Sequence, residues 1–185
     1  TLLHIVARYI TAGIDLGTRN ARVVIAERGE KEKNLIILGV GEVESRGVRH
    51  GYITHIDEAR RSIAEAIAKA EKESGIRIKK ALVSIGGLSL ESTKGAGSAI
   101  ISRVDGEVTA LDVEKAIAAA KEKAPNLTNK KIIHQIIQHF KLDGKEVLGN
   151  PLGMQGMKLE VFVLFIVCLS QHLDDLVYAV EEAGV

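Results

Sequence analysis

The chain has 185 residues, 46% of them hydrophobic and 26% charged, with 25 Lys and Arg against 24 Asp and Glu for a formal net charge of +1. That balance excludes a disordered chain and supplies no global field to steer nucleic acid, so any anion site has to be local. One cysteine, Cys168, excludes an internal disulfide, and 3% aromatics with no Trp leave little of the stacking surface a sugar pocket needs.

Residues 2–10 are apolar but lack a basic leading segment and a small-residue cleavage site, so they read as cytoplasmic sequence; the missing initiator Met suits a piece of a longer protein. Alternation predicts strands near 9–15, 21–27 and 35–44, broken by a turn at 17–20 and a polar turn at 28–34. The first of these turns carries Gly13-Ile14-Asp15-Leu16-Gly17-Thr18 at the tip of a hairpin. Glycine there opens turn conformations and lets an anion approach backbone N–H groups, and Asp15 stands where a Mg2+ accompanying phosphates needs an oxygen partner. Taken alone, the string also fits a plain hairpin turn.

A helix follows over about 55–74, with Thr54 and Asp57 spaced as a capping box, Ile56, Ala59, Ile63, Ala66, Ile67 and Ala70 on one face and Gly75 as the stop. A strand is expected over 80–86. The Gly- and Ser-rich stretch 86–98 reads as a boundary, and a strand over 99–104 leads to the Asp105-Gly106 turn. Thr109 and Asp112 then cap a second helix with Leu111, Ala116, Ile117 and Ala120 inward, stopped by Pro125. Strands near 131–140 and 157–169 flank a glycine-containing loop, and a last helix over 171–183 takes Ser170 as cap with Leu173, Leu176, Val177 and Val180 on one face.

The uninterrupted apolar run 161–169 has nine residues, against the about 20 a spanning helix needs. Its β-branched and Phe content suits a strand covered on both faces, with Cys168 a small buried hydrophobe. His134 and His139 are five positions apart on one predicted strand, which sends them to opposite faces and offers no metal site. Arg46, Arg49, His50, His55, Arg60 and Arg61 are followed by Glu58, Glu65, Glu71 and Glu73 and lack an aromatic platform for bases, so they read as a solvated face and not as a nucleic-acid patch.

The strings Ala12-Gly13-Ile14-Asp15-Leu16-Gly17-Thr18, Ile37-Leu38-Gly39-Val40-Gly41, Ser45-Arg46-Gly47-Val48-Arg49-His50-Gly51-Tyr52-Ile53, Val83-Ser84-Ile85-Gly86-Gly87, Asp105-Gly106-Glu107-Val108-Thr109 and Asn150-Pro151-Leu152-Gly153-Met154-Gln155-Gly156-Met157-Lys158-Leu159-Glu160 occur in this order. Together they resemble the N-terminal part of the FtsA family of actin-like bacterial cell-division proteins. The resemblance implies an α/β fold with an α+β insert: part of an actin-like, RNase H-like ATPase subdomain over 1–79, an SHS2-type strand-helix-strand-strand subdomain over 80–169, and a helix over 170–185 returning toward the first. It implies ATP and Mg2+ as cofactors of the full-length protein, with Asp15 at the metal and Gly17 and Thr18 at the β- and γ-phosphates, while Arg19 either approaches a phosphate or sits in solvent. Half a phosphate clasp leaves this chain a poor ATP binder, with at most weak ATPase in the whole protein. Implied partners are FtsZ and later division proteins, with self-association through the SHS2-type subdomain, attachment to the inner face of the membrane through a C-terminal helix not contained in this sequence, and no nucleic acid. A pilus-assembly adaptor with the same SHS2 module is the alternative, and a sugar or metabolite kinase of the actin-like superfamily a more distant one.

Overall fold

The computed structural model describes residues 9–29 and 34–185; most of the apolar stretch 2–10 and the centre of the turn expected at 28–34 lie outside them. The chain forms two compact units. One comprises the residues up to Leu88 together with Gln171–Val185, the other Ser89–Ser170.

The first unit opens with an antiparallel meander of β1 (Tyr9–Leu16), β2 (Asn20–Arg28) and β3 (Leu35–Glu44). Two-residue strands β4 (Val48–Arg49) and β5 (Tyr52–Ile53) form a small hairpin before α1 (Ile56–Ser74). After the helix, β6 (Leu82–Val83) pairs in parallel with β1, giving the order β3-β2-β1-β6. That pairing carries the first unit to Leu88, past the 79/80 division that the resemblance implied.

Alternation puts Ala12, Ile14, Ala21, Val23, Ile25 and Val43 on one face of this sheet, where Ile63, Ala66, Ile67 and Ala70 of α1 cover them. The same core takes Leu176, Ala179 and Val180 from α3 (Ser170–Glu181). The α1 helix lies directly on the β3 backbone: a Cβ on Gly41 would stand 1.8 Å from the Ala66 carbonyl oxygen, and one on Gly39 2.4 Å from that of Ala70. Gly75 ends α1 in the left-handed region at φ 69°. The Thr54/Asp57 capping box does not form. His55 is the N-cap and makes no side-chain capping bond, while the Thr54 hydroxyl donates to the Gly47 carbonyl at 3.2 Å and lies 3.2 Å from the His55 Nδ1. In α3 the inward stripe is His172, Leu176, Ala179 and Val180, so Val177, expected inside, is exposed.

The second unit is an antiparallel sheet in the order β7-β10-β8-β9, built from β7 (Glu91–Ile100), β8 (Lys130–Leu142), β9 (Lys145–Val147) and β10 (Lys158–Leu169), with α2 (Ala110–Lys123) packed on one face. Thr109 and Asp112 form the expected capping box: the Asp112 carboxylate accepts the Thr109 N–H at 2.9 Å and the Thr109 hydroxyl oxygen accepts the Asp112 N–H at 3.4 Å. Leu111, expected inward, is exposed.

Three expectations are revised here by packing. The stretch 86–98 does hold the division between the units, at Leu88/Ser89, but from Glu91 on it is strand, because α2 can approach β7 only where side chains are missing: a Cβ on Gly97 would stand 2.1 Å from the Ala116 carbonyl oxygen and one on Gly95 2.4 Å from that of Ala120. β10 is covered unevenly; Leu159, Val161, Val163, Phe165 and Val167 are buried beneath α2, while on the other face Phe162, Leu164 and Ile166 are half-buried and Cys168, at the strand's end, is buried. Register shifts in the β8–β10 ladder then bring both histidines to that open face, His139 opposite Phe162 and His134 opposite Ile166.

Candidate functional site

The β1–β2 ladder ends at Leu16 opposite Ala21, and the Gly17 N–H donates to the Asn20 carbonyl at 3.0 Å, leaving Thr18 and Arg19 as the hairpin tip. Gly17 keeps this turn tight, since a Cβ there would stand 3.2 Å from the Asn20 oxygen. The Thr18 hydroxyl oxygen accepts the Gly51 N–H at 3.0 Å. Gly51, at φ 81°, and His50, at φ 52°, form the two-residue β4–β5 turn, so this small hairpin is docked on the tip. The Arg19 side chain is exposed, while its carbonyl accepts the Ser45 N–H at 2.9 Å.

Asp15 lies on the face of the sheet opposite α1, exposed, its Oδ1 accepting the Ser84 hydroxyl. Ser84 is fixed beside it by its own N–H, which donates to the Ile14 carbonyl at 2.9 Å just beyond β6. Gly13, Asp15, Arg22, Val24, Leu82 and Ser84 line a shallow hollow of about 470 Å3. Directly across the β1–β2 pair from Asp15 stands Arg22, and across the β2–β3 pair from Arg22 stands Glu42. The Arg22 guanidinium donates to Glu42 Oε1 at 3.0 Å, and the Asn20 amide donates to the same oxygen. The Arg22 hydrogen bond, helped by the charge of Arg22 and by Asn20, holds the Glu42 carboxyl below the ordinary carboxylate range.

Asp15 and Ser84 therefore meet at the hollow, with Gly17 and Thr18 at the adjoining tip. Arg22 and not Arg19 is the cation opposite Asp15. Sequence reasoning passed over Arg22, Glu42 and Ser84, although a turn of residues 17–20 already fixes position 22 opposite position 15. No group of three His, Cys, Asp or Glu side chains able to hold a metal occurs among the described residues. A lone carboxylate suits Mg2+, which keeps most of its water and phosphate ligands, and does not suit an ion caged by protein. Elsewhere Arg46, Arg61 and Lys69 line a groove with Glu44, Glu58 and Glu65, a mixed-sign surface without a continuous basic track.

Residues 87–167 match the family model described as the SHS2 domain inserted in FtsA. Cell division protein FtsA of Borreliella burgdorferi is 36% identical over 178 residues, 96% of this chain and 43% of that protein. The FtsA proteins of Streptococcus pneumoniae and Bacillus subtilis are 34% and 31% identical over 94% and 93% of the chain, and 37% and 38% of their own lengths. The chain thus spans well under half of these relatives. Among solved structures, a chain of a PilM–PilN type IV pilus biogenesis complex superposes with a TM-score of 0.60 at 12% identity, over 97% of this chain and 46% of that one, a likeness of fold. The glycine-seated sheet of residues 91–169 with its capped helix is accordingly an SHS2 domain of the FtsA type, and the chain is an FtsA-like fragment that contains it.

Proposed function

We propose that this chain is the portion of an FtsA-type division adaptor that holds one side of an Mg-ATP phosphate site and presents the SHS2 domain to protein partners. The observation that carries this reading is the FtsA match at 36% identity across 96% of the chain. The hairpin tip supports the nucleotide part: Asp15 is exposed beside a hollow, its Oδ1 taken by Ser84, next to a tight glycine turn whose Thr18 hydroxyl is fixed by Gly51. Asp15 would hold the metal through water, and Thr18 and Arg19 N–H groups would face phosphate oxygens. The open SHS2 face, with Phe162, Leu164 and Ile166 half-buried, supports the partner part and self-association.

In a protein of full FtsA length these features serve an adaptor that tethers FtsZ to the inner face of the membrane and recruits later division proteins. None of the described helices is long and apolar enough to cross a membrane, so attachment is assigned to a segment outside them. The test is binding of an FtsZ C-terminal peptide to a full-length version carrying these residues, followed by fluorescence anisotropy. Saturable binding is expected; no binding to FtsZ peptide alongside binding to a pilus-assembly peptide would move the chain to the pilus class.

A further inference from the structure

Asp15, Arg22 and Glu42 form one row across β1, β2 and β3, on the face of the sheet that α1 leaves open. The guanidinium in the middle has a carboxylate on each side, yet its ion pair is with Glu42 at 3.0 Å, and Asp15 takes the neutral Ser84 hydroxyl. Glu42 Oε1 also receives the Asn20 amide, which belongs to the hairpin tip itself. One carboxylate oxygen thus stands on two donors beside the turn read as the phosphate loop, in the manner of a bound anion.

We propose that Glu42 is a carboxylate latch on the phosphate site: it occupies Arg22 and Asn20 in the unliganded chain, and an incoming nucleotide phosphate takes Arg22 from it. This rests on the reading of the hairpin tip as phosphate-binding and adds the cation that reading lacked. Phosphate presents more oxygens and more charge to a guanidinium than a carboxylate does, so the exchange favours phosphate once Mg2+ has neutralised Asp15. The latch is weak enough to open, because the Arg22 and Glu42 side chains are 54% and 48% exposed and their pair is screened by solvent. Asp15, by contrast, is kept free of Arg22 and remains an anion for the metal.

The test is a titration of a full-length version carrying these residues with magnesium pyrophosphate and with Mg-ATP, followed by the amide resonances of residues 17–20 and the Arg22 side-chain N–H. Removing the competing anion with Glu42→Gln should tighten binding by roughly three- to tenfold, and Arg22→Gln should weaken it by about fivefold or more. In the double variant the gain from Glu42→Gln should vanish, which separates a latch acting through Arg22 from plain repulsion between Glu42 and phosphate. If the residue 17–20 amides shift but Glu42→Gln leaves affinity unchanged, or tightens it equally without Arg22, the latch is overturned and the phosphate loop stands. If those amides do not shift with either ligand, the phosphate reading fails and the latch with it.

Discussion

Both units are sheets with one face covered by helices, and both seat a helix by the same device. In the first, Gly39 and Gly41 let α1 rest its Ala66 and Ala70 backbone on β3; in the second, Gly95 and Gly97 let α2 rest Ala116 and Ala120 on β7. They differ on the face left open. The first unit carries the polar row Asp15, Arg22 and Glu42 with Ser84 beside it, whereas the second carries Phe162, Leu164 and Ile166, with His139 stacked on Phe162 at a centroid distance of 4.3 Å and Lys141 over the same ring at 5.2 Å. A common way of building the covered face leaves the open faces to diverge, one polar and one apolar.

The comparison breaks most severely at the glycines. A side chain at Gly41 or Gly97 would have its Cβ 1.8 or 2.1 Å from a helix backbone oxygen, so the helix has to lift from the sheet. We expect Gly41→Val and Gly97→Val each to cost ~3 kcal/mol or more, a large part of the stability of a unit this small. Hydrogen exchange should show β1–β3 amides losing protection in the first variant and β7–β10 amides in the second. Loss of protection across all ten strands in either variant would mean that the two units open as one.

The helix starts give a smaller contrast. α2 has a reciprocal capping box and α1 has no side-chain cap. Thr109→Ala should cost about 1 kcal/mol in the second unit, while Thr54→Ala in the first should act through the Gly47 turn and the His55 ring and not through a cap. The Thr109 hydroxyl, and then the Thr109 N–H, hold the Asp112 carboxyl below its ordinary value of 3.8. A depressed carboxyl stabilises the fold above its unfolded pKa, and the benefit is lost as pH falls through the lower folded value. Urea melts of the Thr109→Ala variant and the parent should therefore differ near neutrality and draw together as pH falls below the ordinary value of 3.8; a constant difference across that range would show the cap to be independent of the Asp112 charge.

How legible all this was follows the range of the interactions. Hairpin turns, the Gly75 stop and the Thr109/Asp112 cap depend on neighbours a few residues apart, and composition alone marks them. β7 was read as a boundary because the small residues that α2 demands are also those of loops, and only the partner helix tells the two apart. The same holds for the Thr54 hydroxyl, claimed by Gly47, and for His134 and His139, whose shared face depends on bulges in β8. At the site, Asp15, Gly17 and Thr18 were visible as a string, while Arg22, Glu42 and Ser84 join them through strand register.

On the open face of the second unit, Phe162→Glu should leave the fold within about 1 kcal/mol of the parent, since the ring is only half-buried. It should weaken concentration-dependent association in sedimentation, because a carboxylate beside Lys141 has to be desolvated together with that cation to enter an apolar contact. A parent chain monomeric at all concentrations would remove self-association from the role of this face.

The smallest effect on stability, and the most selective on function, is expected at Asp15. Its carboxylate is exposed and held to the fold by the single Ser84 hydroxyl, on a face that no helix of its unit covers. Asp15→Ala should move stability by no more than about 0.5 kcal/mol. In a full-length version it should nevertheless weaken the Mg2+ dependence of nucleotide binding, because the metal loses the carboxylate this chain supplies while the phosphate donors of the tip remain. Binding measured with and without Mg2+ separates the outcomes: the metal should tighten binding in the parent, and by a smaller factor in Asp15→Ala. An unchanged metal dependence would place the ion elsewhere, and a melting temperature that falls in step with affinity would make Asp15 a structural partner of Ser84, fastening β1 to the strand that follows α1.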